Sequence, residues 1–193
     1  MTQLNTLELI AIISGITSVW FSKKGNIWVY PVGLLNTTIY IYLSFKGELY
    51  GEASVNVFYT VMSLYGWYNW LRRGVDEQFI VKISYSSNKD RLIQLLFFLT
   101  AFVVIYTSLV VVKDIFSPGS IPWADALASA SAFTAMWLMT RKKVESWIWW
   151  IVTNIVSIPL FYVKDFTLTA FYYGILLILA VFGLQEWRKK ANG

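Results

Sequence analysis

The chain contains no cysteine and no histidine among its 193 residues. Without cysteine it has neither disulfide bonds nor thiolate nucleophiles and metal ligands. Without histidine it lacks the side chain that most often binds metals or titrates near neutral pH. Charge is also scarce, because only 14% of the residues are charged while 57% are apolar. A soluble domain of this length needs more surface charge, so the composition predicts an integral membrane protein.

Apolar runs recur along the whole chain, and most are close to the ~20 residues that a helix needs to cross a bilayer. The first run has no basic residues before it, so it is expected to remain in the mature protein and not to be a signal peptide. The longest polar break runs from Arg72 to Arg91, and residues 79–85 within it alternate weakly, as a strand or surface segment would. The sequence therefore predicts seven transmembrane helices, at about 4–22, 27–45, 53–71, 92–112, 122–140, 147–163 and 166–187.

The basic residues are distributed unequally between the two sides that seven spans define. Three lie on the side of the N-terminus (Lys46, Lys113 and Lys164), and the other thirteen of the sixteen lie on the opposite side. Cytoplasmic loops carry the excess of lysine and arginine, so the N-terminus is expected outside and the C-terminus inside. The orientation of the chain in the membrane thus explains the net charge of +5, and nucleic-acid binding is only a minor alternative explanation.

The first three predicted helices match the last three at an offset of 117 to 119 residues. The fourth run, 92–112, has no counterpart, and a single intervening span gives both halves the same orientation in the membrane. We therefore expect two parallel repeats, at 1–73 and 113–193, joined by a loop and linker helix at 74–112. The matched pairs are Glu8 with Asp125, Trp20 with Trp137, Lys23–Lys24 with Lys142–Lys143, Trp28 with Trp147, Asn36 with Asn154, Lys46 with Lys164, Gly66 with Gly183, Trp70 with Trp187, and Arg72–Arg73 with Lys189–Lys190.

Polar and aromatic side chains inside the spans recur on single helix faces, and such groups usually face the interior of a bundle. They would line a cavity with hydrogen-bonding amides and aromatic walls. The predicted lining residues are Asn36, Tyr40, Asn56, Tyr59, Trp67, Trp147, Trp150, Asn154 and Tyr173, with Tyr172, Ser129, Ser131 and Thr134 also inside the spans.

Each of these residues has a plainer interpretation. Asparagine and serine in membrane helices often only join neighbouring helices. Tryptophan near a helix end usually belongs to the interfacial belt, and that interpretation is favoured for four residues (Trp28, Trp70, Trp147 and Trp187). Glu8 is expected to cap its helix, while Asp125 is left open between capping and attraction of a cation.

Several classes of chemistry are not supported. The sequence has no Walker-type phosphate loop and no deep pair of an acid with a base. No lysine lies deep in a span, so a retinal Schiff base is excluded. No catalytic residue, metal site or cofactor is predicted, and the repeat favours a carrier over a receptor or an intramembrane enzyme.

Several segments in combination resemble the bacterial PnuC family of vitamin transporters. The resemblance covers the whole chain and rests on Gly33–Asn36, Leu49–Tyr50, Tyr65–Trp70 (YGWYNW), Pro122–Asp125, and Met139–Glu145 followed by Trp147, Trp150 and Asn154. It departs from the family pattern at Asn56, where a glutamine is expected.

The resemblance implies a three-plus-one-plus-three arrangement similar to that of the SWEET sugar transporters. It implies uptake of nicotinamide riboside, an NAD precursor, across the inner membrane by facilitated diffusion, with a cytoplasmic kinase trapping the product. It also implies a homotrimer. Tryptophan faces suit a flat cation and asparagine suits a carboxamide or hydroxyl groups. Thiamine is a flat cation too, and the resemblance implies that related members carry thiamine or riboflavin. A transporter of thiamine or another vitamin and, less favoured, a seven-helix vitamin sensor therefore stay open as alternatives.

Overall fold

The computed structural model describes residues 6–47, 50–74, 77–116 and 121–193. The start of the first predicted run, residues 4 and 5, lies outside this part. Within the described ranges the protein is all-helical, which confirms the predicted class. The helices are α1 (Thr6–Lys24), α2 (Val29–Lys46), α3 (Tyr50–Leu71), α4 (Asn88–Phe116), α5 (Pro122–Thr140), α6 (Ser146–Val163) and α7 (Thr167–Asn192).

Capping interactions set the starts of α4 and α5. At α4 the Ser87 hydroxyl donates to the Asp90 carboxylate (2.8 Å) and accepts the Asp90 backbone N–H (3.1 Å). This cap begins α4 one turn before its apolar run, which explains why the helix is longer than predicted. At α5, Pro122 occupies the first turn and Asp125 accepts the Ile121 backbone N–H (2.6 Å).

The helices pack in two similar groups. In each group the middle helix contacts both neighbours: α2 lies against α1 and α3, and α6 lies against α5 and α7. The groups meet through α1 with α7 and α3 with α5, while α4 packs against α5. By length and composition, four of the described helices (α1, α4, α6 and α7) are apolar enough to cross a membrane.

The helix α5 is enclosed by α3, α4 and α6, and its composition fits that position. Most of its buried residues are alanine, including Ala126, Ala130 and Ala135, each fully buried. Small side chains let backbones approach closely in a bundle, where lipid supplies no hydrophobic drive for association. Because other helices enclose α5, it meets little lipid and needs fewer strongly apolar side chains. This explains why α5 is not among the four helices that are apolar enough to cross a membrane by composition alone.

Both groups repeat the same turn geometry at a constant offset of 117 residues. Gly25 after α1 and Lys142 after α5 have positive φ angles of 70° and 52°. The next backbone N–H returns to the helix in both cases, from Asn26 to Phe21 O and from Lys143 to Leu138 O.

This constant offset corrects the four pairings that the sequence placed at 118 or 119 residues (those of Lys23–Lys24, Trp28, Asn36 and Lys46), and contacts show the correction directly for two of them. The contact of Asn36 with Ala11 O corresponds to that of Thr153 with Ala128 O, each spanning 25 residues. Asn36 is therefore equivalent to Thr153, and not to Asn154. In the same way Trp147 is equivalent to Tyr30, and not to Trp28, because Trp147 covers Gly183 as Tyr30 covers Gly66.

Segment 77–86 is not a strand, contrary to one interpretation of its alternating pattern. It forms isolated bridges, of Phe79 with Arg73 and of Ser84 with Lys143. Its end is fixed by the Glu145 carboxylate, which accepts both the Ser86 backbone N–H and the Ser86 hydroxyl. The segment therefore lies across the turn between α5 and α6.

Three of the four tryptophans expected in the interfacial belt are instead buried. Trp70, Trp147 and Trp187 are 2%, 1% and 0% exposed, whereas Trp28 is 57% exposed. The belt prediction is wrong for the first three because their indoles pack on one another where helix ends converge. We call this set the tryptophan cluster, which consists of Tyr30, Trp70, Met139, Val144, Trp147, Ala180 and Trp187.

Candidate binding site

Three helices meet around Gly15 of α1, deep in the bundle. A Cβ atom at Gly15 would lie 2.5 Å from the Tyr172 hydroxyl and 2.9 Å from the Asn36 amide nitrogen. The absence of a side chain therefore lets polar groups of α2 and α7 approach each other over α1. The Asn36 amide donates to Ala11 O (2.6 Å), which fixes its orientation.

Aromatic rings continue this polar site across α7 and α6. Tyr173 stacks on Phe161, with ring centroids 5.2 Å apart, and lies edge-on to Tyr172 at 5.7 Å. The Tyr173 side chain also lies close to Ser157 of α6. The stacked ring of Phe161 restricts the orientation of Tyr173, as a preformed binding surface requires.

Tyr59 connects this surface to α3 and α5. Its ring centroid lies 6.2 Å from those of Trp150 and Phe133. Its hydroxyl lies within electrostatic range of those of Tyr172 and Tyr173. Tyr59 therefore bridges the two helix groups. We call the set Gly15, Asn36, Tyr59, Phe133, Trp150, Asn154, Ser157, Tyr172 and Tyr173 the central cluster.

Asn154 is a central-cluster side chain whose hydrogen-bonding capacity is unused. It is 2% exposed, and no hydrogen bond of its side chain is seen among the described residues; the fully enclosed unpartnered atoms there are Tyr30 Oη, Ser131 Oγ and Trp147 Nε1, and not those of the Asn154 amide. Asn154 lies four residues after Trp150 and three before Ser157, so these three side chains share one face of α6. The location of Asn154 beside aromatic rings fits a group that a ligand would satisfy.

Tyr40 reaches the central cluster from the side opposite the tryptophan cluster, because it is within electrostatic range of Tyr172 and Tyr173 as well as of Glu8 and Glu52. The other predicted residues lie at the margins. Asn56 donates to Glu52 O of its own helix (2.9 Å), so its amide nitrogen is engaged there. Trp67 and Trp147 lie toward the other end, Trp147 inside the tryptophan cluster and Trp67 packed against it. The structure thus brings together six of the nine predicted residues: Asn36, Tyr40, Tyr59, Trp150, Asn154 and Tyr173.

Sequence reasoning did not identify Gly15, Phe133 and Ser157. Gly15 shows nothing in the sequence beyond one glycine within an apolar run. Ser157 is the one of the three that the sequence could have indicated. It follows Asn154 by three residues, and that spacing extends the polar face of α6.

The two ends of the bundle are held differently. The end that carries the α1–α2 and α5–α6 turns and the C-terminus holds most of the basic residues, and we call it the basic end. There, six hydrogen bonds join α1–α3 to α5–α7. They are Ser22 Oγ to Met139 Sδ, Asn69 Nδ2 to Thr140 O, Trp70 Nε1 to Met139 O, Trp187 Nε1 to Ser22 O and to Lys23 O, and Lys190 Nζ to Lys24 O.

The opposite end carries a charged group instead. Lys164 at the end of α6 forms an ion pair with Asp125 of α5 (2.8 Å), both about one-fifth exposed. Glu52 of α3 lies within electrostatic range of both. This answers the question that the sequence left open for Asp125, since its carboxylate caps α5 and also binds a lysine.

Two open clefts lie at the basic end, away from the central cluster. One of about 310 Å³ lies between segment 80–84 and Asn69, Arg141 and Lys143, and one of about 500 Å³ lies beside it. No group of acidic side chains that could hold a metal is present among the described residues.

Comparison with known proteins gives consistent relatives. The family model for the nicotinamide mononucleotide transporter matches residues 5–189. The chain is 27% identical to the nicotinamide riboside transporter PnuC of Escherichia coli K12, over 98% of this chain and 88% of that protein. It is 25% identical to the riboflavin/roseoflavin transporter RibM of Streptomyces davaonensis, over 93% and 83%. The crystal structure of the vitamin B3 transporter PnuC superposes with a TM-score of 0.74 at 27% identity, covering 96% of this chain and 82% of that one.

Proposed function

The chain belongs to the nicotinamide mononucleotide transporter family, and from this premise we propose that it carries nicotinamide riboside across the bacterial inner membrane. The family match over residues 5–189 carries the proposal. It confirms the resemblance read from the YGWYNW and TRKKVE segments, and with it a multi-pass membrane transporter. We propose in addition the substrate, the inner membrane as the location, the orientation of the chain in it and the roles of individual residues.

The central cluster supports a riboside over a phosphorylated substrate. Its members are neutral, offering amide, hydroxyl and aromatic groups. A phosphate monoester calls for arginine or lysine at its oxygens, and the cluster has neither. A pyridinium ring suits the faces of Trp150 and Tyr59. The unpartnered amide of Asn154 suits the carboxamide or a ribose hydroxyl.

For the arrangement in the membrane we propose two three-helix repeats, α1–α3 and α5–α7, joined by α4. Support comes from the turn geometry repeated at 117 residues and from α4 contacting α5 on the outside of the bundle. The basic end then faces the cytoplasm by the positive-inside rule, with the N-terminus outside. The repeats rock about the central cluster, opening one end while the other closes. The homotrimer stays a prediction from the resemblance.

Counterflow in proteoliposomes tests this proposal. Vesicles loaded with unlabelled nicotinamide riboside should accumulate the labelled compound, and external nicotinamide riboside should compete better than thiamine or riboflavin. Riboflavin is included because RibM is among the relatives. Asn154→Ala should reduce uptake about tenfold or more, the loss expected for one well-placed polar contact in a buried site.

The control is Asn56→Ala, which removes an amide bonded to its own helix. Stronger competition by thiamine or riboflavin would contradict the proposed substrate. Binding without flux would contradict transport and support a sensor. Unchanged uptake by Asn154→Ala would place the site elsewhere.

A further inference from the structure

Two tryptophans at the basic end make matching contacts between the helix groups. Trp70 of α3 donates its indole N–H to Met139 O of α5 (3.1 Å). Trp187 of α7 donates to Ser22 O of α1 (3.1 Å). The offset of 117 residues separates Trp70 from Trp187 and also Ser22 from Met139. The acceptors themselves touch, since Ser22 Oγ lies 3.1 Å from Met139 Sδ. Each group therefore holds the other by the same bond.

These bonds lie in a dry and crowded place. Trp70 and Trp187 are 2% and 0% exposed, with ring centroids 6.2 Å apart. Separating the helix groups at this end would expose both rings and break both bonds together. A hydrogen bond shielded from water is exchanged for a solvent bond only when the interface opens. These contacts thus oppose opening of the basic end specifically.

One of the two contacts carries an additional cation. Lys142 Nζ lies 4.4 Å from the centre of the Trp70 ring. Partial burial, together with the nearby Lys190, lowers the pKa of Lys142 below its usual value. Lys142 also has a φ of 52°, a left-handed conformation that disfavours side chains, whereas the equivalent residue of the first turn is Gly25. A partly buried lysine in a left-handed backbone conformation lowers the stability of the fold. The contact of the Lys142 ammonium group with the Trp70 ring offsets this cost and explains why a lysine stands here.

We propose that Trp70 and Trp187 are paired latches that keep the basic end of the transport path closed, and that Lys142 is a positioning residue that holds Trp70 in place. The proposal rests on the proposed transport function and assigns a role that the central cluster does not have. The latches close the path by joining each helix group to the backbone of the other.

Thiol labelling tests the latches directly, because the chain has no native cysteine. Ser63→Cys introduces one thiol at a buried position two helical turns from Trp70 on the same face of α3. A charged, membrane-impermeant maleimide is applied from the basic side of oriented vesicles. Trp70→Phe and Trp187→Phe keep a ring and remove the indole N–H. Each should speed labelling about fivefold, and both together about 25-fold, at about one net hydrogen bond each.

Tyr30→Phe is the matched control. Tyr30 is 1% exposed and packs edge-on against Trp70, with centroids 5.0 Å apart, but its hydroxyl has no partner among the described residues. Its removal should leave labelling within twofold. Any of three results would overturn the proposal. These are labelling of the latch variants at the rate of the parent, faster labelling of Tyr30→Phe, and no labelling of any variant. If the double variant does not fold, the single Trp187→Phe variant gives the decisive measurement.

Lys142→Gly separates the positioning role from loss of charge. Glycine suits this backbone, so the change removes the contact with Trp70 without adding strain. Labelling of the thiol introduced at Ser63 should rise about threefold, the effect of one partly exposed cation–π contact. Lys82→Ala, which removes an exposed lysine bonded to Gln78, should have no effect. Equal effects of the two variants would overturn the role of Lys142. Labelling needs no substrate, so a chain that fails to carry nicotinamide riboside still tests the latches.

Discussion

Two glycines of α7 should respond oppositely to the same substitution. A Cβ atom at Gly183 would lie 2.6 to 2.7 Å from three ring atoms of Trp147, whereas one at Gly174 would meet nothing within 4 Å. The Trp147 ring has little room to retreat, because it is 1% exposed and packs edge-on against Trp187, with centroids 5.6 Å apart. We therefore expect Gly183→Ala to destabilise the protein and Gly174→Ala to stabilise it.

The size of the difference follows from two terms. Overpacking a buried site costs about 1–3 kcal/mol. Alanine is favoured over glycine within a helix by about 1 kcal/mol. Gly183→Ala should therefore lose up to about 2 kcal/mol, and Gly174→Ala should gain about 1 kcal/mol. The gap of about 1–3 kcal/mol separates the melting temperatures of the two variants by roughly 2–12 °C for a chain of this length.

Thermal unfolding in detergent, followed by intrinsic tryptophan fluorescence, measures both variants under the same conditions. Gly66→Ala serves as the twin of Gly183→Ala, because its Cβ would meet the Tyr30 ring in the same way. It should also lower the melting temperature. If Gly183→Ala were as stable as the parent, or if both α7 variants shifted in the same direction, the close packing on Trp147 would be refuted.

Two further changes test the ion pair opposite the basic end and the cap of α4. Lys164→Ala leaves the Asp125 carboxylate partly buried and should lower the melting temperature, and Asp125→Asn added to it should recover part of the loss, as a double-mutant cycle would show. Hydrogen bonds from Ser87 lower the pKa of Asp90, so the stability they give is present above the ordinary pKa of an aspartate and is lost as pH falls through the lowered value. Ser87→Ala should therefore reduce stability at neutral pH and flatten its dependence in acid; an unchanged acid melting profile would contradict that cap.

The helices were predictable because lipid imposes long apolar runs that a single sequence displays. The predicted and observed ends agree to within about five residues. The largest difference is at the end of α7, which continues to Asn192, and the next largest are at both ends of α4, where the Ser87 cap sets the start. The burial of Trp70, Trp147 and Trp187 was not predictable. A tryptophan at a helix end looks the same in sequence whether it meets lipid headgroups or three other helix ends, and only the packing distinguishes them.

Part of the central cluster could be read from helical spacing. Trp150 and Asn154 share a face of α6, and the structure places them together. Gly15 could not be found in this way, because its role depends on what approaches from α2 and α7. The similarity of the two halves was visible in the sequence, but the exact offset between them was not. Matching identical residues gave offsets of 117 to 119, whereas the equivalent hydrogen bonds of Asn36 and Thr153 are 117 residues apart.

The corrected register bears on the shape of the ligand. At equivalent positions the first group has Asn36 followed by Thr37, and the second has Thr153 followed by Asn154. The amides therefore occupy successive, non-equivalent positions, one donating to Ala11 O and the other without a partner among the described residues. A site with two equal halves would suit a ligand with two equal ends. Two amides displaced by one residue, or about 100° around their helices, suit a ligand with different ends, such as a carboxamide ring joined to a ribose. The asymmetry of the candidate site therefore fits the asymmetric substrate proposed above.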